Sequence, residues 1–413
     1  MKQTLLTFIL FCFLSPKGEA AELSQQAEIS LLTCSAGTEI YSYFGHSAIR
    51  VKDPATHIDL VYNYGVFSFE TPHFVWRFCK GETDYMLAAQ SMRSFMQEYY
   101  EEQRDVYEQV LNFTPQECQS LNDALIENIK PENRYYRYKH FSDNCATRIR
   151  DQFEKALRGK LKYNTKNDES LTYRQLLDQC LPGNSWSGFG IKLALGIPCD
   201  RKTTFSEKMF IPAYLERDMA DAVVVRDEGE VLFSKPVTIL YKATPRDLTG
   251  FGNLSGLMSS PGMIVGLLFF LTLGISILEF KRMKRMIWFD FLVFISFGIA
   301  GLILGFLCFI SLLEATGWNL NLLWALPTHF IFAFLLLVKP LREKLSLYLK
   351  FTTIIICLFL ISMVFLPQTF HWLVVPLCLI LLLRTGGIAF FYQIPLLFRR
   401  VRKSGIILKQ SEK

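Results

Sequence analysis

No Cys-x-x-Cys pair occurs in this 413-residue chain, and its six histidines are scattered, so the common zinc-site patterns are missing. Neither an internal repeat nor a low-complexity tract is visible, which excludes solenoids and fibrous arrays. Charge is scarce, with 20% charged against 51% hydrophobic residues. The net charge of +6 is no nucleic-acid signature, because the excess of lysine and arginine mostly flanks apolar runs. The composition calls for no metal, no cofactor and no nucleic-acid partner.

What the chain does have is long apolar runs, and they divide it. Met1 to Ala20 carries one early lysine, an apolar run from Leu5 to Leu14, and small residues at Gly18 and Ala20, the pattern of a secretory signal peptide. An uncleaved anchor is the alternative, although the run is well short of the ~20 residues that a span needs. From Gly262 to Phe398 five spans are expected: Gly262–Phe280, Met286–Leu313, Leu322–Val338, Phe351–Phe365 and Phe370–Ile388. Basic clusters follow the first (Lys281, Arg282, Lys284, Arg285), the third (Lys339, Arg342, Lys344) and the fifth (Arg399, Arg400, Arg402, Lys403). The intervening loops Glu314–Asn321 and Leu366–Thr369 contain no lysine or arginine. Positive charge on the cytoplasmic side then requires an odd number of spans with the N-terminal domain outside. The expected division is a signal peptide at 1–20, a periplasmic domain at 21–255, a transmembrane domain at 256–398 and a basic cytoplasmic tail at 399–413, in the inner membrane. Arg384 lies deep in the last apolar run and is expected to snorkel to the cytoplasmic side, and Asp290 reads as an interfacial residue.

Within the exported part, two short segments carry chemistry. Gly45-His46-Ser47-Ala48-Ile49-Arg50 opens an alternating run, and Asp143-Asn144-Cys145 precedes apolar positions Ala146, Ile149, Phe153, Ala156 and Leu157 at helical spacing. A histidine on a strand and a thiol on the first turn of a helix are the base and nucleophile of a cysteine enzyme, since the helix N-terminus favours thiolate. Cysteine as a small core residue is the plain alternative. Cys145 would have to stay free, and among the other exported cysteines Cys180 and Cys199 enclose a loop short enough for a disulfide, worth ~3 kcal/mol if formed.

Phe44–Val51 and Ile58–Tyr64 read as strands joined at Asp53-Pro54-Ala55-Thr56, a type I turn that places residue 46 opposite residue 63. Asn63 is then a candidate for orienting the imidazole, although Tyr62-Asn63-Tyr64-Gly65 reads equally as a strand end; His57 and Asp59 compete for the role. Ser91–Val110 is expected to be one charged, aromatic-rich helix, and Thr114-Pro115-Gln116-Glu117 opens another with a capping box. The stretch Arg134-Tyr135-Tyr136-Arg137-Tyr138 offers guanidinium contacts to a phosphate headgroup, or is an ordinary half-exposed strand. His140, close to the thiol in sequence, is assigned to the surface or a substrate groove rather than to catalysis.

A histidine strand followed by an Asn-Cys helix resembles the circularly permuted NlpC/P60 and lecithin:retinol acyltransferase branch of the papain-like fold. More closely, Tyr43–Val51, Val61–Phe67, Lys80–Tyr85, Asp143–Asp151, Asn184-Ser185-Trp186 and Met209–Pro212 are similar to segments of the Bacteroides-type lipoprotein N-acyltransferases. The fold class this implies is α+β, a permuted papain-like exported domain followed by an all-α bundle of five transmembrane helices. The resemblance implies catalysis by Cys145, His46 and Asn63, with Tyr43, Asn144, Arg148 and Arg137 as candidates for substrate contact. It implies an acyl chain passing from a phospholipid to Cys145 as a thioester, and then to the α-amine of a diacylglyceryl-cysteine lipoprotein. The Cys145 N–H and a second donor, Asn144 or Tyr43, would hold the oxyanion. A membrane-tethered cell-wall peptidase and a non-catalytic receptor are the competing classes.

Overall fold

A computed structural model describes residues 22–68, 70–166, 168–244, 254–341 and 344–391. The expected signal peptide, the basic tail and Arg342 lie outside the described residues. The elements begin with β1 (Glu28–Cys34), β2 (His46–Asp53), β3 (Ile58–Val66), α1 (Phe74–Lys80), β4 (Asp84–Ser91), α2 (Met92–Glu102), β5 (Val106–Leu111), α3 (Pro115–Asn128), β6 (Tyr135–Arg137) and α4 (Cys145–Leu157). They continue with β7 (Leu161–Lys162), α5 (Tyr173–Cys180), α6 (Trp186–Ala194), α7 (Phe205–Lys208), α8 (Pro212–Ala220), β8 (Val223–Arg226), β9 (Gly229–Leu232) and β10 (Thr238–Tyr241). The C-terminal part is helical: α9 (Leu254–Met258), α10 (Pro261–Arg282), α11 (Ile287–Phe309), α12 (Thr328–Leu337), α13 (Ser346–Ser362) and α14 (Val374–Gly386).

An antiparallel sheet in the order β10-β5-β1-β2-β3-β4-β6 organises the first part, with a small second sheet, β7-β8-β9. Alternation along the central strands supplies two apolar faces. On one, Leu31, Ile49, Val51 and Tyr62 pack with Leu121 and Leu125 of α3, Ile149 and Phe153 of α4, and Leu215 of α8. On the other, Leu32, Ala48 and Val61 pack with Met92, Phe95 and Tyr99 of α2. The molecule is therefore α+β, a sheet-rich N-terminal domain followed by a helical region.

The β2–β3 turn differs from expectation. Asp53 faces Ile58 and Ile49 faces Tyr62, so the loop holds four residues, with His57 at φ 58°, rather than two. Register therefore moves by two, so that position 46 is not the Cα partner of position 63. An even shift keeps every side chain on its expected face. Ser91–Val110 is not one helix either. α2 stops at Gln103, which takes a left-handed cap (φ 54°), and Val106–Leu111 turns into β5, because its alternating apolar positions are buried against β1. Thr114 caps α3 as expected, with the Glu117 carboxylate returning to the Thr114 N–H.

In the helical region α10, α11 and the stretch Leu320–Leu337 are long and apolar enough to cross a membrane, whereas Ser346–Ser362 and Val374–Ala389 are shorter apolar helices. α11 ends at Phe309, four residues before the expected limit, because the chain turns back onto the exported domain. There the Leu312 N–H donates to the Lys80 carbonyl (2.9 Å) and the Ser311 hydroxyl to the Cys79 carbonyl (2.6 Å). The same loop holds the other side of the domain: Gly196 N–H donates to the Ala315 carbonyl (2.8 Å), and Asn319 Nδ2 to the Leu193 and Ala194 carbonyls (2.7 and 3.0 Å).

Two readings of the sequence are corrected here. Cys180 and Cys199 are both free, the buried Cys199 thiol donating to the Ala315 carbonyl at 3.3 Å instead. Arg384 does not snorkel: it is buried, and its guanidinium meets Asp290 (Nε to Oδ1, 2.8 Å), Glu279 (2.8 Å) and the Ser276 hydroxyl (2.9 Å). Asp290, in the first turn of α11, is fully buried, and it also accepts from Arg285 at 2.6 Å. Carboxylates on α10 and α11 supply the guanidinium with its counter-charge.

Candidate active site

Asn144 explains why a helix begins at Cys145. Its Oδ1 accepts the Thr147 N–H (2.9 Å) while Thr147 Oγ1 accepts the Asn144 N–H (2.8 Å), a reciprocal cap that satisfies two backbone donors. Both protons of its Nδ2 are also engaged, by the His140 and Phe210 carbonyls (2.9 and 2.7 Å). Asn144 is thus occupied as a structural clamp and has no side-chain donor left for a substrate oxyanion.

The cap leaves Cys145 at the first helical position, 6% exposed. Pairing between β2 and β3 begins only at Ile49–Tyr62, so the first residues of β2 are open on that side, and the Ser47 N–H reaches Cys145 Sγ. The Ala146 N–H and the Tyr138 hydroxyl also lie within hydrogen-bonding reach of the sulfur. Burial pushes the thiol pKa up, and these donors, together with the Cys145 N–H itself, oppose the rise by favouring thiolate. Two glycines shape the opening. Gly45 holds φ 79° and has the Cys34 carbonyl 2.7 Å from where a Cβ would sit; Gly65 holds φ 89° at a bulge against β4, with Tyr138 and the Cys145 Cβ at 3.3 and 3.9 Å from its Cβ position.

His46 starts β2, paired with Cys34 across β1. Alternation places it with Ala48, and Asn63 with Val61, on the α2 side of the sheet, whereas Cys145 packs into the core on the α3–α4 side. His46 Nε2 lies 3.1 Å from Asn63 Oδ1. A carbonyl oxygen only accepts, so this contact puts the ring proton on Nε2 and leaves the Nδ1 lone pair available. Burial lowers the imidazole to about 4, with the nearby Arg104 charge acting in the same direction and the Asn63 bond opposing. The resting pair is neutral imidazole and neutral thiol. Among the described residues no direct hydrogen bond joins them.

The competitors for the third position are committed elsewhere or remote. Asp59 makes a two-point contact with Arg50 (2.7 and 2.8 Å), and His57 sits exposed in the turn. Arg148 is held by Asp143 at 2.5 and 2.9 Å and lies over the Tyr136 ring at 3.5 Å. Arg137 is half-exposed near Asp84 (3.6 Å), and the buried Tyr43 shares its hydroxyl with Ser187 (2.7 Å). His140 packs edge-on against Phe44 and is lowered by burial to about 4.

Three participants escaped sequence reasoning. The Ser47 amide is a backbone group and leaves no sequence signal. Tyr138 stood in the tyrosine-rich stretch without a partner, although the spacing of Tyr136 and Tyr138 puts both on one side of the strand. Glu314, from the loop between α11 and α12, accepts the Phe141 N–H (3.1 Å) and the Ser142 hydroxyl (2.6 Å), tying the turn before the thiol to the bundle.

Two family models match the chain. The Lnb N-terminal periplasmic domain covers residues 20–179, and the Lnb transmembrane domain covers 253–394. The chain belongs to the Lnb family. His46, Asn63, Tyr138 and Cys145 fall inside the first match, and Glu314 and the buried Arg384–Asp290–Glu279 cluster inside the second. Lnb membership makes this an inner-membrane protein with a periplasmic N-terminal domain, of a class that processes lipoproteins. No curated protein and no solved structure matches the chain.

Proposed function

We propose that the chain is a lipoprotein N-acyltransferase that works by a cysteine thioester. His46 Nδ1 takes the Cys145 proton as the thiolate attacks the ester carbonyl of a membrane phospholipid. The Cys145 N–H, which has no partner inside the helix, and the Tyr138 hydroxyl receive the oxyanion. The imidazolium returns its proton to the departing glycerol oxygen, releasing a lysophospholipid and leaving the acyl group on sulfur. The α-amine of a diacylglyceryl-cysteine lipoprotein then attacks the thioester. His46 accepts the amine proton and passes it to the leaving thiolate, so that an amide and free enzyme result. Asn63 fixes the ring tautomer throughout. The exported domain is assigned to the permuted papain-like class, spanning 21–255, and the bundle at 256–398 to five spans with the C-terminus in the cytoplasm.

The observation that carries this reading is the buried thiol at a helix N-terminus, met by the Ser47 amide next to a histidine whose Nε2 is already engaged. Phospholipid alone should leave an acyl group on Cys145 that neutral hydroxylamine releases. Adding a diacylglyceryl-cysteine peptide should discharge it and raise the peptide mass by one acyl chain. Folded protein in lipid that forms neither product overturns the assignment, and cleavage of muropeptides by the same preparation would install the peptidase instead.

A further inference from the structure

α1 has no buried residue: beside the cations Arg77 and Lys80 it carries Phe74, Val75, Trp76 and Phe78, of which Val75 and Trp76 are 73% and 57% exposed. Its surroundings say what covers it. The Trp76 ring packs on Phe306 near the end of α11 (centroids 5.0 Å apart), and the Lys80 carbonyl accepts the Leu312 N–H just beyond that helix. α1 therefore lies where a membrane-crossing helix ends, at the level at which hydrocarbon gives way to headgroups.

From α1 a line of rings leads inward. Phe78 stacks on Phe74 (5.9 Å), Phe74 on Phe67 (5.5 Å), Phe67 meets Tyr85 (5.2 Å), and Tyr85 stacks on Tyr138 (4.4 Å), whose hydroxyl reaches Cys145 Sγ. Tyr41, 53% exposed, stands edge-on to Phe67 beside the line. A polar substrate arriving from the periplasm has no use for an apolar surface that begins at the bilayer and ends at the thiol.

We propose that this line is the track for the donor acyl chain. A chain of a bilayer phospholipid leaves the membrane beside α1, lies along Phe74, Phe67 and Tyr85, and brings its ester carbonyl to Cys145. The inference rests on the acyl-transfer reading above and adds to it the path by which the lipid enters.

The test compares donors of different chain length on full-length protein in detergent micelles. Acyl-Cys145 formation is followed with dipalmitoyl and with dioctanoyl phosphatidylethanolamine, and the rate of Cys145 alkylation by iodoacetamide is followed in parallel. Phe67→Asn should slow acylation from the long-chain donor at least tenfold and from the short-chain donor less than threefold, with alkylation unchanged within twofold. Phe74→Asn, one ring farther from the thiol, should show the same discrimination and serves as the arbiter if the Phe67 variant alkylates slowly. Equal effects on both donors in the Phe74 variant, or none, overturn the track while leaving acyl transfer intact. Wild-type protein that takes no acyl group from either donor overturns the acyl-transfer reading itself.

Discussion

Two clusters of buried polar side chains stand far apart in this molecule, and they solve burial in opposite ways. At the sheet, His46 and Cys145 have no counter-ion, and burial drives the imidazole pKa down and the thiol pKa up, so both are held neutral. In the bundle, Arg384 faces Asp290 and Glu279, and Arg285 supplies Asp290 with a second cation, so opposite charges are matched at 2.6–2.8 Å. Neutral buried groups retain the capacity to exchange a proton when a substrate enters. Matched charges have no such freedom, and they fix helices instead.

The largest break in that comparison should come from the neutral pair. Cys145→Ala should abolish acyl transfer, and His46→Gln should reduce it by about 10²–10⁴-fold, with thermal unfolding in detergent nearly unchanged. A fall of the unfolding midpoint in step with activity would mean that the pair is structural. Next in size, Arg384→Met removes the cation that Asp290 and Glu279 share, leaving Asp290 with Arg285 alone, and should destabilise the bundle by about 3–5 kcal/mol, read as a lower unfolding midpoint, with Arg384→Lys in between. An unchanged midpoint would show that the charges are not matched through this residue.

A smaller effect should follow from Glu314→Ala. Losing a charged acceptor for two donors costs about 1–3 kcal/mol of restraint on the turn before the thiol, and acyl transfer should slow by roughly tenfold. Iodoacetamide alkylation of Cys145 should change with it; a slower turnover with unaltered alkylation would place the role of Glu314 elsewhere. The smallest signal is in pH. His46 and His140 hold values of about 4, whereas an unfolded histidine sits near 6.5. The unfolded chain therefore binds more protons between those values, and stability should fall as pH drops from about 6.5 to about 4. His46→Gln should flatten part of that slope, and an unaltered slope would show that His46 is not buried as a neutral ring.

The candidate site was legible where short-range rules apply. The Asx cap of α4 depends on residues three apart, and Asn63 remained on the same side as His46 despite a register error, because the error was even. Local rules failed where distant partners decide. Ser91–Val110 looks helical throughout, yet the edge of β1 captures its second half. Arg384 was assigned to the surface because its acidic partner Asp290 lies 94 positions away. Glu314 stands 172 residues from Ser142, and nothing in an otherwise uncharged loop announces what it will hold.

Arg384 also bears on the order in which the bundle is built. Glu279 and Asp290 belong to the first two apolar helices to emerge during synthesis, and the guanidinium belongs to the last. An arginine inside an apolar helix is costly unless it is paired. The acids thus precede the cation in the chain, and the last helix supplies the charge that joins it to the first two.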